Sequence, residues 1–262
     1  MRIATWNVNS IKQRIENLSA WLRERQPDIV CLQETKSQDE TFPREPFEAL
    51  GYNVAVHGQK TFNGVAILSK LPFDEVTPRL PGDAEDDHAR FIEAVVSTTT
   101  GALRVASIYL PNGNPIGAKY EYKIKWMKRL FDYSRERLEH EEPLILAGDY
   151  NVIPTEIDVH NPELWRGDAL FLPETRAKFR ALINLGLTDA LRANTDAGGL
   201  YTFWDYQAGA WQKNNGIRID HLLLSPQAAD RLVTAGVDKH VRAWEKPSDH
   251  VPVWIELDLE PA

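Results

Sequence analysis

The stretch PDIVCLQETK at residues 27–36 is a short apolar run that stops abruptly at polar residues. Its length, its β-branched residues and its polar boundaries predict a buried β-strand over 28–34. The stretch RIATWN at residues 2–7 has the same character and also ends in a polar residue. Repetition of this pattern indicates a fold built on sheets whose strands end in polar side chains.

The same pattern continues along the chain. Further strands are predicted over 53–57, 64–69, 91–97, 103–110, 144–149, 219–224 and 251–258. A strand ending in Gln33-Glu34 and another ending in Gly148-Asp149 hint at two similar sheets that meet at one edge.

Helical patterns alternate with the strands. Ser10 is predicted to cap a helix whose apolar residues recur at steps of four, three and four: Ile11, Ile15, Leu18 and Leu22. Two more helices are predicted over 117–140 and 174–185. Because no low-complexity linker interrupts the chain, we expect residues 1–262 to form one α/β domain with two packed sheets and helices outside.

Composition limits the possible classes of protein. The 262 residues carry a net charge of -8, so the chain lacks the basic balance that is the simplest signal of nucleic-acid binding. Bound cations would offset clustered carboxylates locally, which makes this objection mild for a metal-dependent nuclease. Cys31 is the only cysteine, and we expect a reduced, buried thiol. No stretch reads as a membrane span or a leader, which predicts a cytoplasmic protein.

Polar residues able to bind a metal lie at the ends of several predicted strands. They are Asn7, Asn9, Glu34, Tyr109, Asn112, Asp149, Asn151, Asp249 and His250. Each alone is compatible with a turn former, but their recurrence predicts a shared site that the sheets hold rigidly. Oxygen ligands dominate this set, which favours Mg²⁺ or Mn²⁺ over zinc.

Such a metal can neutralise a phosphodiester, stabilise its leaving oxygen and lower the pKa of an attacking water. Asp220 follows a polar turn, and a carboxylate there could hold a histidine in one tautomer. The spacing does not identify which histidine that would be.

Several blocks together resemble the exonuclease III family of abasic-site endonucleases, bacterial type, within the endonuclease/exonuclease/phosphatase superfamily. The blocks are residues 27–36, 63–70, 109–112, 148–151, 214–220 and 248–250, and the resemblance extends from residue 2 to about 257. It implies a deoxyribonuclease I-like fold, a four-layer α/β sandwich in which two mixed sheets pack face to face with helices outside.

The resemblance also implies roles for individual residues. Glu34 would be the principal metal ligand, with Asn7, Asn9 and Asp249 around it, and Asp149, Asn151 and His250 are further candidate ligands.

Asp149 would activate or orient the attacking water, and Asn151 would orient Asp149 or the phosphate. Tyr109 would contact the scissile phosphate, supported by Asn112. His250, held by Asp220, would stabilise the transition state. Either Asp149 or the His250–Asp220 pair would be the general base.

Two departures from the family pattern stand out. Residues 189–192 read DALR, where the family usually has Ser or Thr before an aromatic residue, a change expected to affect packing. Ile217 stands where animal members carry Trp, so one wall of the abasic-sugar pocket is expected to be aliphatic. Asn9 follows the bacterial pattern in place of Asp.

DNA contacts are predicted at several positions. Phe203 and Ile219 would line a pocket for a flipped-out sugar together with Ile217. Trp204 is expected in the core, whereas Trp211 would either wedge into the duplex or fill the core. Lys119 would contact DNA phosphates, and Arg90 resembles a DNA-contacting arginine of the bacterial branch of the family.

We therefore expect a Mg²⁺-dependent nuclease that cleaves 5′ to abasic sites in double-stranded DNA and also processes blocked 3′ ends by 3′-phosphodiesterase and 3′→5′ exonuclease action, working as a monomer away from membranes. One alternative is a phosphatase or phosphodiesterase of the same fold that acts on a lipid or inositol phosphate. Another is a non-catalytic nucleic-acid-binding protein.

Overall fold

The computed structural model describes residues 1–262 and contains two six-stranded β-sheets. In spatial order the first sheet contains β11 (Leu232–Val237), β12 (Val253–Leu257), β1 (Arg2–Asn7), β2 (Ile29–Gln33), β4 (Val65–Ser69) and β3 (Asn53–His57). The second contains β5 (Glu75–Pro78), β6 (Phe91–Thr98), β7 (Gly101–Tyr109), β8 (Leu144–Asp149), β10 (Asp220–Leu224) and β9 (Thr188–Asp189).

The two sheets share one pattern of strand directions. In the first, β1 and β2 are parallel neighbours and every other pair is antiparallel. In the second, β7 and β8 are the parallel pair and the remaining pairs are antiparallel. The hint of two similar sheets is therefore confirmed at the level of topology.

The sheets pack face to face, and the longest helices lie on their outer faces. The helices are α1 (Ile15–Arg25), α2 (Glu45–Glu48), α3 (Ala118–Leu138), α4 (Pro162–Trp165), α5 (Pro173–Asn184), α6 (Ala190–Asn194) and α7 (Pro226–Ala229), with 3-10 turns at Asp39–Thr41, Glu156–Asp158 and Lys239–Ala243. None of them combines the length and the apolar character that crossing a membrane requires.

Three hydrophobic clusters correspond to the spaces between these layers. One cluster of 24 buried residues, including Ile3, Cys31, Ile145 and Val253, fills the space between the sheets. A second packs α1 and α2 on the first sheet, and a third packs α3 and α5 on the second. The predicted four-layer α/β sandwich is confirmed.

The nine predicted strands are all present, and their ends differ by a few residues at most. Three strands were not predicted: β5, β9 and β11, each at the edge of its sheet. An edge strand is paired on one side only, and most residues of these three are partly or fully exposed, so they lack an apolar run.

The predicted start of the first helix is wrong. Ser10 has a left-handed φ of 84° and caps nothing, and α1 begins only at Ile15. The backbone of Ser10 and Ile11 donates instead to the carbonyls of Glu34 and Thr35. This pairing ties the segment after β1 to the segment after β2. The other two predicted helices correspond to α3 and α5.

Candidate active site

The carboxyl ends of the two parallel pairs meet at one edge of the sandwich. β1 ends at Asn7, β8 ends at Asp149, β7 ends at Tyr109, and Glu34 directly follows β2. They meet beside a cleft of about 290 Å³. Its lining includes ten of the residues predicted from the sequence: Glu34, Tyr109, Asn112, Asp149, Asn151, Phe203, Ile217, Ile219, Asp249 and His250.

Asn7 joins carboxylates from the two sheets. Its Nδ2 donates to Glu34 Oε1 and to Asp149 Oδ2, each over 2.9 Å. Its Oδ1 accepts from the backbone N of Asn9 at 3.0 Å, which fixes the orientation of the amide. Burial acts to raise the pKa of Glu34, but the Asn7 hydrogen bond and the Lys36 ammonium outweigh it and lower that pKa. Glu34 therefore stays ionised.

His250 lies between two buried aspartates. Its Nδ1 is 2.8 Å from Asp220 Oδ2, and its Nε2 is 3.7 Å from Asp149 Oδ2. Burial acts to lower the pKa of His250, but the charges of Asp220 and Asp149 raise it to about 10. The ring is therefore an imidazolium at neutral pH, held by Asp220 with Nε2–H on the cleft side.

Asp149 is buried, and that burial is the main reason why its pKa is raised to about 7. The charge of His250 acts to lower this pKa and so favours the ionised carboxylate near neutral pH. Its Oδ1 accepts from the backbone N of Asn151 at 3.0 Å. Burial and the charges of Glu34 and Asp149 raise the pKa of the Tyr109 phenol, so this group keeps its proton.

The donor set fits a hard cation at one place. Ligand atoms of Glu34, Asp149 and His250 lie within 4.8 Å of one another. The carboxylate oxygens are the suitable donors, because a histidine held as an imidazolium has no free lone pair to offer. The Asn7 amide turns its NH₂ group toward both carboxylates, so it positions ligands in this geometry and offers no oxygen itself.

The remaining predicted ligands lie around this centre. Asn9 Nδ2 donates to Asp249 Oδ1 at 3.1 Å, and Lys36 Nζ donates to Asn9 Oδ1 at 2.6 Å. Asn151 uses its side chain inside the protein, because Nδ2 donates to Leu110 O at 2.9 Å. Their roles as metal ligands stay predictions.

Asn112 and Arg90 each contact a predicted site residue of the second sheet. Asn112 Nδ2 lies 3.3 Å from Asn151 Oδ1, which links the segments after β7 and β8. The guanidinium of Arg90 lies 4.8 Å from the centre of the Tyr109 ring and donates to the Tyr109 carbonyl at 3.3 Å. Arg90 therefore supports Tyr109, and its contact with DNA stays a prediction.

One side of the cleft is apolar. Ile217 and Ile219 are buried there, and the Phe203 ring packs against His250 with 5.0 Å between ring centres. Trp165 from α4 and Leu170 also line this side, although the sequence reading assigned them no role. Aromatic side chains, Phe203 and Trp165, therefore line this side of the cleft even though position 217 is an isoleucine.

Like Arg90, two further predicted DNA contacts lie outside the cleft lining. Lys119 is exposed on the first turn of α3. Trp211 packs edge-on against the buried Trp204, with 5.0 Å between ring centres, and Lys239 and Arg242 lie over its ring. Trp204 is in the core as predicted. Of the two roles expected for Trp211, the structure shows packing on the core, because its loop folds back onto the outer face of the first sheet.

Several residues at the site were not singled out from the sequence. They are Lys36, Asn114, Trp165, Asp168, Leu170 and Asp205. Lys36 was signalled by its place two residues after Glu34, which its Nζ approaches to 3.1 Å. Trp165 and Asp168 come from the irregular segment after β8, where no periodicity points to the cleft.

Comparison with known proteins agrees with this geometry. Residues 4–250 match the endonuclease/exonuclease/phosphatase family. Exodeoxyribonuclease III of Haemophilus influenzae is 37% identical over 98% of this chain and 100% of the relative. An AP endonuclease from Archaeoglobus fulgidus superposes with a TM-score of 0.93 at 36% identity, covering 98% of this chain and 99% of that one.

A 3′-5′ exonuclease from Neisseria meningitidis superposes with a TM-score of 0.94 at 38% identity, covering 98% of this chain and all of the other. With the strand topology and the polar edge described above, these matches lead to one conclusion. The chain belongs to the endonuclease/exonuclease/phosphatase family.

Proposed function

We propose that this protein hydrolyses the phosphodiester bond 5′ to abasic sites in duplex DNA and also trims blocked 3′ ends. The observation that carries the proposal is the pairing of a fixed imidazolium with a buried carboxylate beside a cleft that has one apolar side. The relatives are DNA nucleases, which supports DNA as the substrate class.

Glu34 and Asp149 are the residues that would hold a divalent cation, for which we propose Mg²⁺, with Mn²⁺ able to substitute. Such a cation neutralises phosphate charge and lowers the pKa of a bound water. Asn7 keeps the two carboxylates together, so their separation is fixed before substrate arrives.

His250 and Asp149 divide the proton chemistry between them. Because Asp220 keeps His250 protonated, Nε2–H donates to a non-bridging phosphate oxygen and stabilises the charge that develops there. An imidazolium cannot accept a proton, so Asp149 is the general base that orients the attacking water. The protonated Tyr109 phenol donates to the same phosphate.

The apolar side of the cleft accounts for the sugar preference that we propose. A deoxyribose without a base can enter between Phe203, Ile217, Ile219 and Trp165 at little unstacking cost. Lys119 would contact phosphates of the duplex, and Arg90 would contact the DNA. We also propose that the protein acts as a monomer in the cytoplasm.

A lipid or inositol phosphate substrate is the main competing proposal. One experiment separates the two: incubate the protein with an abasic duplex, the same duplex with an intact base, a 3′-phosphate end and a soluble phosphoinositide, each with Mg²⁺ or EDTA. We expect Mg²⁺-dependent incision of the abasic duplex. Release of phosphate from the phosphoinositide alone would refute the proposed function.

A further inference from the structure

A lysine lies fully buried beneath the site, on the inner face of α3. Lys123 has no exposed surface and forms no salt bridge. Its Nζ donates to two backbone carbonyls, Asn151 O at 2.6 Å and Asn112 O at 3.0 Å. No carboxylate lies within hydrogen-bonding distance of this ammonium group.

The two carbonyls belong to the segments that follow the parallel strands β7 and β8. One segment directly follows Tyr109 and carries Asn112, and the other directly follows Asp149 and carries Asn151. Lys123 is therefore a bridge between two neighbouring strand ends that both carry proposed catalytic residues. The Asn112–Asn151 side-chain contact at 3.3 Å joins the same segments.

The packing around the lysine stem is equally specific. Gly113 has a left-handed φ of +91°, and a Cβ at this position would lie 2.7 Å from Lys123 Cδ. The chain therefore passes over the lysine at a distance that only glycine permits. Burial lowers the pKa of Lys123 to about 7, which records the cost of enclosing an ammonium group.

An apolar residue would fill this position on an amphipathic helix at lower cost, since burying an ammonium group is expensive unless it is well hydrogen-bonded. Met127 and Leu130 are the next buried positions on the same face and are apolar. What the lysine adds is a pair of donors for carbonyls that strand pairing leaves free.

We propose that Lys123 is a positioning residue that holds the segments after β7 and β8 in register, and with them Tyr109 and Asp149. The proposal rests on the proposed function, because it assigns these two residues to the reaction. The lysine itself does not touch the substrate.

The test compares Lys123→Met with Lys125→Met, which removes an exposed lysine two residues further along α3. For Lys123→Met we expect kcat on an abasic duplex to fall ~10–100-fold, the scale seen when a supporting partner of a catalytic centre is lost. KM should change less than about threefold. Lys125→Met should keep wild-type kcat.

Amide hydrogen exchange of the metal-free protein gives a second measurement that does not need activity. In Lys123→Met, protection should fall at residues 110–114 and 150–152 and stay unchanged in β3 and β4. Unchanged kcat and unchanged local exchange, with only a lower Tm, would reduce Lys123 to a packing role and overturn the proposal. If Lys123→Met does not fold, Lys123→Gln carries the same comparisons.

The two proposals fail in distinguishable ways. If the wild type does not incise an abasic duplex, the proposed function fails while the exchange experiment still tests the bridge. If the wild type is active and Lys123→Met matches it in kcat, only the positioning role is lost.

Discussion

The two sheets have the same order of strand directions, but they carry different residues at equivalent positions. β1 of the first sheet corresponds to β8 of the second, and they end in Asn7 and Asp149. Asn7 donates to the carboxylate of its counterpart at 2.9 Å. At the same structural position one sheet therefore supplies a neutral donor and the other a buried acid.

The next equivalent positions follow the same rule. Glu34 after β2 corresponds to Tyr109 at the end of β7. His250, three residues before the start of β12, corresponds to Asp220 at the start of β10. His250 and Asp220 are in contact at 2.8 Å, and the charge of Glu34 helps to raise the pKa of Tyr109. A nearly symmetric scaffold therefore holds an asymmetric set of charges, and each of these pairs takes one residue from each sheet.

A substitution that gives the end of β8 the same residue type as the end of β1 should have the largest effect on turnover. Asp149→Asn gives the second sheet the residue type of the first, and we expect kcat to fall ~10²–10⁴-fold because a general base is lost. Binding to the abasic duplex should remain. The Tm measured in EDTA should not fall. Burial disfavours the charged form of Asp149, as its raised pKa shows, and the neutral amide removes that cost. Retained turnover would exclude Asp149 as the base.

Breaking the pair formed by His250 and Asp220 should come next. His250→Asn should lower kcat ~10²–10³-fold, as for the loss of one donor to a developing oxyanion, with a smaller change in KM. Asp220→Asn should lower kcat in the same direction, since it removes the charge that keeps the imidazolium protonated. If substrate affinity collapses in His250→Asn while turnover survives, His250 is a binding residue.

The contribution of the first sheet to the metal can be measured separately. Glu34→Gln keeps the shape and removes the charge, so the Mg²⁺ concentration for half-maximal activity should rise at least ~10–100-fold, as it does when even an outer partner of a metal ligand is lost. Calorimetric Mg²⁺ binding without DNA should weaken in parallel. Asn7→Ser tests whether positioning alone matters, and we expect a smaller shift. An unchanged Mg²⁺ dependence in Glu34→Gln contradicts the assignment.

The strands that carry the site could be predicted from sequence because they are central. β1, β2, β7 and β8 are largely buried, so each appears as an apolar run that ends at or just before a predicted site residue. The edge strands β5, β9 and β11 lack this pattern and were missed. Ser10 was misread because local helix signals say nothing of the backbone pairing with Glu34 that fixes its φ.

The site was predictable at strand ends and less so in the segments between them. The resemblance supplied Asp220 as the partner of His250, which spacing alone could not identify. Lys123 is one of several lysines on α3, and nothing in the sequence marks it as the buried one. Trp165 lay in an irregular segment whose path depends on contacts such as that between Asn114 and Asp168 at 3.1 Å.

Each sheet also has a partly buried tryptophan near the site: Trp165 beside the second sheet and Trp211 on the first. Trp165 packs on the cluster beside the second sheet and faces the cleft. Trp165→Ala should weaken binding of an abasic duplex by about 1 kcal/mol, roughly fivefold, at the low end for one stacking contact. Leu164→Ala is the matched control, because that side chain is exposed and does not line the cleft. Equal effects in both variants would show that α4 acts only through its backbone.

Trp211, on the rim of the first sheet, should have the smallest effect on function. Its ring packs edge-on against Trp204 and lies under Lys239 and Arg242, so it closes the outer face of that sheet. Trp211→Ala should therefore lower the free energy of unfolding by ~1–3 kcal/mol, below the ~3–5 kcal/mol of a fully buried tryptophan because the ring is only half-buried. The affinity for an abasic duplex should stay within about twofold.

Thermal melts and a binding titration on the same variant decide whether Trp211 acts in core packing or in DNA binding. An unchanged Tm with affinity reduced by ~1–3 kcal/mol would mean that the ring leaves Trp204 and stacks on DNA, and the rims of the two sheets would then both contact substrate.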